Sequence, residues 1–524
     1  MDDASGAAAA SSVNPWLTAI AVMSATFMVV LDTTVVNVSL PHIAGNLSST
    51  IEETTWALTS YLAANAIVLP LTGWLATVIG RKRLLMASVA GFSMASLLCG
   101  IAPNLPVLIG FRVVQGITGG VMQPISQAVL LEAFDPADRG KAMGFWGLGI
   151  VVAPIIGPVL GGWLTDNYSW RWVFYINVPV GVLSLLMVQA YIFDPPYLRR
   201  ASEVIDYWGI GLLAIGIAGI QIMLDQGQQE DWFASSMIVT LLIVGSVSLV
   251  AFVARELRTR HPVVDLSVFR DATYSAGVLL TTVLGFVLYG SLVLLPVMLQ
   301  TLMGYSSVQA GLALAPRGLG SFIAMPLVGL ATDRFDPRKL VGIGLVLAAY
   351  TLFWLSWLNL DAGYWDLFWP QFLQGLSLGL LFVPLTAVTM GRISRERMGN
   401  ATSLFNLMRN VGSSVGIAVV TTMLSRRQTF HADRLSAHVS AYSTETSSRL
   451  SELQAYFISQ GADATTALMR AYAALEGMVR QQAALLSFID AFYLMGVIFA
   501  AMLPLLFLMR RPDRVAEGVH AVME

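Results

Sequence analysis

Few side chains of this chain can do chemistry, and those that can stand where charge is costly. Asp32 interrupts the apolar run 16–40 and Arg112 the run 106–132, while Arg317 and Arg409 lie inside the runs 306–331 and 401–424. An ionisable group inside a membrane span is unfavourable unless it is paired or wetted, so each is a functional candidate. Asp32 precedes Pro41, read as the end of the first span, and Arg112 follows Pro106, read as the start of the fourth. At 1.5 Å per residue they lie roughly 13 Å and roughly 9 Å from the same membrane face, depths at which they can meet. Desolvation favours the neutral form of a carboxyl and a nearby Arg favours the anion, so a proton and a substrate can compete at such a pair. Two plainer roles stand beside this one. Asp32 is also placed to bond Thr33, Thr34 or Asn37 on its own helix, and Arg112 to lock backbone carbonyls. Arg317 and Arg409 have no acidic neighbour in sequence and are placed to face either an anionic substrate group or water. With Asn37 and Gln115 they are the candidates to line a substrate cavity.

Other chemistries lack their parts. There is no G-x-x-x-x-G-K-[ST] cradle for a nucleotide and no H-E-x-x-H, and the five histidines lie at span ends or in loops. No metal set is read from the sequence. The single cysteine, Cys99, sits in an apolar run and reads as a buried, inert thiol. A net charge of −2 gives no basis for a nucleic-acid partner.

The elements that must hold these residues are membrane helices. The 524 residues are 56% hydrophobic and 12% charged, about half the charged share of a soluble domain. A helical span needs roughly 20 apolar residues. Fourteen runs qualify, at about 16–40, 55–76, 84–102, 106–132, 142–164, 173–193, 207–224, 234–253, 273–300, 306–331, 340–358, 366–390, 401–424 and 488–509. An even count puts both termini on one side. With the N-terminus cytoplasmic, the inward loops and C-terminal tail collect Arg81, Lys82, Arg83, Arg139, Lys141, Arg199, Arg200, Arg255, Arg258, Arg260, Arg270, Arg334, Arg338, Lys339, Arg392, Arg395, Arg397, Arg510, Arg511 and Arg514, while the short outward loops hold only Arg171. Glu132 and Asp225 fall at span ends and read as solvated caps.

One stretch has a conformational signature. In GIVVAPIIGPVLGG, residues 149–162, Gly149, Ala153, Gly157 and Gly161 recur every fourth residue, and Pro154 and Pro158 repeat at the same interval. Small residues let helices approach closely in lipid, and prolines leave carbonyls that a neighbour or water must satisfy. The stretch reads as a packing seam or hinge, with a helix of the other half as the expected partner of Gly157 and Gly161. GWLATVIGRKR at 73–83 is echoed by GLATDRFDPRK at 329–339, and RVVQGITGG at 112–120 by QFLQGLSLG at 371–379, both about 256 to 259 residues apart. That spacing suits two duplicated six-span halves with two spans inserted between them. The long polar stretch 425–487 falls outside. Leu450, Leu453 and Phe457, then Leu468, Tyr472, Leu475 and Val479, sit at helical spacing, Gly461 punctuates, and the pattern from Ala462 runs toward the last span.

LDTTVVNVSLP at 31–41, the loop 73–83, RVVQGITGG, GIVVAPIIGPVLGG and WRWVFYINVPVG at 170–181 resemble, in order and spacing, the motifs of fourteen-span drug:proton antiporters of the major facilitator superfamily. The resemblance covers nearly the whole chain. It implies an all-α integral membrane protein, two six-helix halves plus two inserted spans. The parts are then a cytoplasmic tail 1–15, an N-terminal half 16–194, the extra spans with flanking loops 195–271, a C-terminal half 272–509 containing the periplasmic segment 425–487, and a cytoplasmic tail 510–524. It further implies export of apolar or amphipathic drugs in exchange for protons across a bacterial inner membrane, with the proton gradient as energy source and no cofactor. Asp32 and Arg112 match the coupling pair. Gly157, Pro158, Gly161 and Gly162, with Gly149 and Pro154, match the conformational motif, and Gly73, Gly80, Arg81, Arg83, Asp333 and Arg334 the cytoplasmic gate. The implied partners are a periplasmic, EmrA-like membrane-fusion adaptor and an outer-membrane channel. One departure is that Thr77 stands where the family usually has an Asp, so the gate of the N-terminal half is expected to close through another contact. A same-fold transporter of one metabolite, siderophore or fatty acid, and a non-transporting scaffold or sensor, remain open.

Overall fold

Short polar caps and prolines set the helix ends. Asn14, Thr50, Asn104, Ser306 and Asp463 each accept a hydrogen bond from the first turn of the helix that follows, and Thr50 with Glu53 and Ser306 with Gln309 close reciprocal capping boxes. The computed structural model describes residues 14–135, 138–194, 206–259, 262–440 and 442–509. The expectations for the tails 1–13 and 510–524, for the loop 195–205 with Arg199 and Arg200, and for Arg260, Arg510, Arg511 and Arg514 lie outside the described residues, as does the side chain of Asp333.

The helices are α1 (Pro15–Asn46), α2 (Glu53–Ile79), α3 (Arg81–Gly100), α4 (Leu105–Ala133), α5 (Arg139–Asn167), α6 (Trp172–Tyr191), α7 (Tyr207–Gln226), α8 (Ser236–Glu256), α9 (Ala272–Leu302), α10 (Ser307–Arg334), α11 (Pro337–Leu355), α12 (Tyr364–Met390), α13 (Met398–Ser436), α14 (Thr444–Ser459) and α15 (Ala464–Ala501). Among the described residues, fourteen helices, all of these but α14, are long and apolar enough to cross a membrane. One half is built of α1–α6 and the other of α9–α13 with α15, while α7 pairs with α8 and lies against both α2 and α13. Hydrogen bonds fix that bridge: Gln226 donates to Thr59 at 3.1 Å, Gln221 to Ser414 at 2.8 Å, and the Trp232 indole to Thr422 at 2.9 Å.

Two boundaries depart from the sequence reading. The first span does not end at Pro41; α1 continues through it to Asn46. Pro41 and Asn37, whose carbonyl loses its usual donor, are both exposed, so ring and orphan carbonyl fall on the open face of the helix. The span read as 401–424 runs on to Ser436, and the last span is the end of a helix that starts at Ala464, as the pattern from Ala462 implies. Together with α14 these extensions make a helical projection. Leu450, Leu453, Phe457, Leu468, Leu475 and Val479 are half-buried, so the apolar stripes largely cover each other, whereas Tyr442, Tyr456, Ile458, Met469 and Tyr472 stay exposed.

The glycine seam of α5 also differs from expectation. A side chain on Gly157 would collide with the Thr34 hydroxyl, a Cβ on Gly161 would stand 2.9 Å from the Val35 carbonyl oxygen, and one on Gly149 would stand 2.8 Å from Met23. All three partners are on α1, in the same half, while Gly162 has only Val38 at 4.0 Å. The seam between halves lies nearer the start of α5. Cβ atoms on Gly140 and Gly144 would come within 2.8 Å and 2.6 Å of the Gly329 and Met325 carbonyl oxygens of α10. Thus α5 has two small-residue faces, one binding it to α1 and the other letting it approach α10. The remaining motif residues, Pro154 and Pro158, line a cavity toward α9 and α10.

Substitutions should separate the two faces. Gly157→Leu overpacks α5 on α1 and should lower the unfolding temperature, by an equivalent of about 2 kcal/mol. Gly144→Leu should instead hold the halves apart, raising several-fold the reactivity of a cysteine placed at Thr332, which faces Gly140 across the seam. Equal effects of both variants on that reactivity would contradict the assignment.

Candidate functional site

A buried polar cluster is built on Asp32, where five helices meet. Arg112 of α4 donates through Nη1 to Oδ2 of Asp32 at 2.6 Å, Gln115 through Nε2 to Oδ1 at 2.9 Å, and Asn177 of α6 through Nδ2 to the same oxygen at 2.7 Å. Arg112 is held in turn by the Ala57 carbonyl of α2 at 3.0 Å and by Gln115 Oε1 at 2.8 Å, with the Tyr61 ring 4.2 Å from its guanidinium carbon. Ser96 of α3 accepts from both Asn177 and Gln115 and donates to the Phe174 carbonyl at 2.9 Å. Asp32 is 1% exposed and Arg112, Gln115 and Asn177 are 0% exposed, so the ion pair is sealed from solvent. In this low-dielectric setting each charge depends on the other. Arg112 Nη2 and Asn177 Oδ1 are buried without a hydrogen-bond partner in the protein, leaving the cluster short of full satisfaction.

The expected meeting of Asp32 and Arg112 is observed, and it does not use Thr33, Thr34 or Asn37. Thr33 and Thr34 bond back to carbonyls of their own helix, and Asn37 is exposed, five residues further along α1 and on another face. Gln115 belongs to the Asp32 cluster rather than to a separate cavity. Sequence reading missed Asn177, Ser96 and Tyr61. WRWVFYINVPVG contains Asn177 in an apolar context, a signal of the same kind as Asp32, but Ser96 carries none that separates it from other helix serines. Cys99 is buried beside Gln115 Oε1, as an inert thiol should be.

The other two cations lie elsewhere. Arg317 donates through Nη2 to Ser291 at 3.2 Å and lines a cavity of about 100 Å³ bounded also by Pro154, Pro158, Tyr289, Gly311 and Leu314. Arg409 of α13 reaches across the halves to Gln123 at 3.1 Å, and one turn away Asn406 donates to Gln127 at 2.6 Å. These cross-half bonds lie toward the same end as the Gly140 seam.

At that end, the expected gate residues take different parts. Arg81 is buried and ion-paired with Glu132, so Glu132 is no solvated cap. Asp225 is no solvated cap either, since it is half-buried and bonded to the Thr59 hydroxyl. Gly73 lets α2 meet α13, a Cβ there standing 2.7 Å from Asn400 Cα. Gly80 has φ +91°, a conformation that favours glycine, and it clears space for Asp194. Asp194 accepts from the Lys82 N–H at 2.8 Å and so supplies an acidic group at the start of α3, near the place where Thr77 breaks the expected pattern. Thr77 itself bonds back to Trp74. Arg83 and Arg334 are exposed.

Residues 22–417 match the family model described as Major Facilitator Superfamily. The chain is 38% identical over 500 residues to the fatty acid resistance protein FarB of Neisseria gonorrhoeae, covering 95% of this chain and 96% of that protein. It is 37% identical over 502 residues to the multidrug export protein EmrB of Escherichia coli, with the same coverage, and 41% identical over 427 residues to EmrB of Haemophilus influenzae, covering 81% and 84%. Among solved structures, the human organic anion transporter MFSD10 aligns with a TM-score of 0.62 at 13% identity, covering 94% of this chain and 99% of that one. The proton:xylose symporter XylE aligns at 0.61 and 12%, covering 95% and 96%. The structural matches speak for the fold.

The cluster predicts a specific non-additivity. Arg112→Met should strip Asp32 of its cation and cost about 3–5 kcal/mol, read as a large fall in unfolding temperature. Adding Asp32→Asn should restore most of the loss. Additive losses in the double variant would show that the two residues do not act as a pair.

Proposed function

The chain belongs to the Major Facilitator Superfamily, and from that premise we propose that this transporter exports apolar and amphipathic compounds in exchange for protons. The observation that carries the proposal is the sealed Asp32–Arg112 pair. A carboxylate in the bilayer interior is retained where its charge is used, and a scaffold has no use for one. When Asp32 is ionised, Arg112, Gln115 and Asn177 all converge on it and draw α1, α4 and α6 together. A proton on Asp32 removes the charge that organises them, while Arg112 keeps the Ala57 carbonyl and Gln115 as acceptors. Proton gain and loss therefore change how tightly the first half is held, and through the α1–α5 seam that change reaches the helix that meets α10.

A broad range is supported by the two relatives named for multidrug export and by a cavity lined with proline, leucine and glycine rather than by a set of directional polar groups. The narrower reading, export of one class such as fatty acids, is favoured by the relative named for fatty acid resistance and by the cation in that cavity. The arginine-rich loops support an orientation with those loops and both termini in the cytoplasm of a bacterial inner membrane. The projection of α13, α14 and α15 would then face the periplasm. Its exposed Tyr456, Ile458, Met469 and Tyr472 are suited to an adaptor that leads to an outer-membrane channel.

Reconstitution in vesicles tests the proposal. Adding an apolar compound to which expression confers resistance should drive proton movement in the native protein and not in Asp32→Asn. Replacing 436–480 by a short Gly/Ser link should leave that proton movement intact but abolish resistance in whole cells and co-purification of an adaptor. Normal proton movement with Asn at position 32 would remove Asp32 from coupling, and an adaptor retained by the shortened protein would place its docking site elsewhere.

A further inference from the structure

We propose that Arg317 makes the cavity between α5, α9, α10 and α12 a subsite for the carboxylate of an amphiphilic anion, with the first carbons of its chain against Pro154, Pro158 and Leu314; this rests on reading the cavity as part of the transport path. Charge is balanced differently in the two halves. Arg112, in the first half, is answered by Asp32, but no carboxylate within ion-pair distance answers Arg317 or Arg409 among the described residues. A guanidinium cannot shed its proton to escape burial. Arg317 is 6% exposed, its Nη2 meets only the Ser291 hydroxyl, and its Nη1 is buried without a partner. Arg409 is 5% exposed and its Nε is likewise unpartnered. An anion entering here supplies a counter-charge that the protein itself lacks.

Shape narrows the anion. The cavity of about 100 Å³ is several times smaller than a pocket that encloses a drug-sized ligand, so it takes one end of a molecule and not the whole. Its other walls are Ile150, Leu288, Tyr289, Leu292, Gly318 and Leu378 besides the residues already named, so that apart from Arg317 and the Tyr289 hydroxyl the lining is apolar and suits carbon. A guanidinium edge with a free Nη1 beside a weakly engaged Nη2 matches the two oxygens of a carboxylate. A ligand with a cationic end is repelled at the same place. Gly311 borders the cavity, and a Cβ there would meet nothing within 4 Å, so the space can be filled without disturbing the helices around it.

Decanoate and decanol are suitable probes for equilibrium dialysis against the purified full-length protein, because they share a chain and differ in charge. The native protein should hold decanoate at least about tenfold more tightly than decanol. Arg317→Gln should lose that preference while decanol binding stays within about twofold, Arg317→Lys should keep part of it as a point charge, and Gly311→Leu should weaken both probes alike. No preference in the native protein, or an undiminished one in Arg317→Gln, overturns the subsite. If a neutral apolar compound drives proton movement yet decanoate is not preferred, the subsite fails and the exporter reading stands. If decanoate is preferred but no compound moves protons, the exporter reading fails and the subsite stands.

Discussion

A charge inside a bilayer has to be answered by another charge, by dipoles or by water, and this molecule is organised by how it answers four of them. Asp32 and Arg112 answer each other with almost no solvent exposure, Gln115, Asn177 and the Ala57 carbonyl bond them further, and Ser96 holds Gln115 and Asn177 in place. Because these groups come from α1, α2, α3, α4 and α6, one ion pair ties together five of the six helices of the first half. In the second half, Arg317 and Arg409 have no such answer among the described residues. The first half thus carries the carboxyl that the proposed exchange protonates, and the second carries the donors to which the proposed anion binds.

Helix α5 stands between these two halves of the problem. Its Gly149, Gly157 and Gly161 face fits α1, which carries Asp32, and its Gly140 and Gly144 face meets α10, which carries Arg317. Pro154 and Pro158 lie on the cavity wall opposite that arginine. In the proposed exchange, a change in the hold of Asp32 on its neighbours would shift α1 and hence α5. Close glycine packing would transmit such a shift because α5 contributes no side chain at these contacts to absorb it. The cross-half bonds of Asn406 to Gln127 and Arg409 to Gln123, with the Gly73 contact to Asn400, are what must break for the halves to part at that end.

Much of this is legible in the sequence because lipid imposes simple rules. Fourteen apolar runs correspond, among the described residues, to fourteen helices long and apolar enough to cross a membrane, and the prolines before Arg112 and after Asp32 locate both residues well enough to pair them, even though α1 passes through Pro41. What the sequence hides is direction. The four-residue spacing of glycines in α5 declares a seam but not its partner, which proves to be α1 and not the other half. The same holds for Gln115, whose helical position next to Arg112 turns it to Asp32, and for Glu132 and Asp225, which look like span-end caps but are bonded to Arg81 and Thr59. Asp194, 112 residues from the amide it caps, has no local signature at all.

The central claim is that one carboxyl, Asp32, takes up and gives off the proton that substrate exchanges for. Proton release on ligand binding tests it without any transport step: purified protein in weakly buffered solution receives a saturating apolar compound to which expression confers resistance, and a pH dye follows the protons. The account predicts release from the native protein and none from Asp32→Asn, which should still bind the compound. Undiminished release from Asp32→Asn would contradict it.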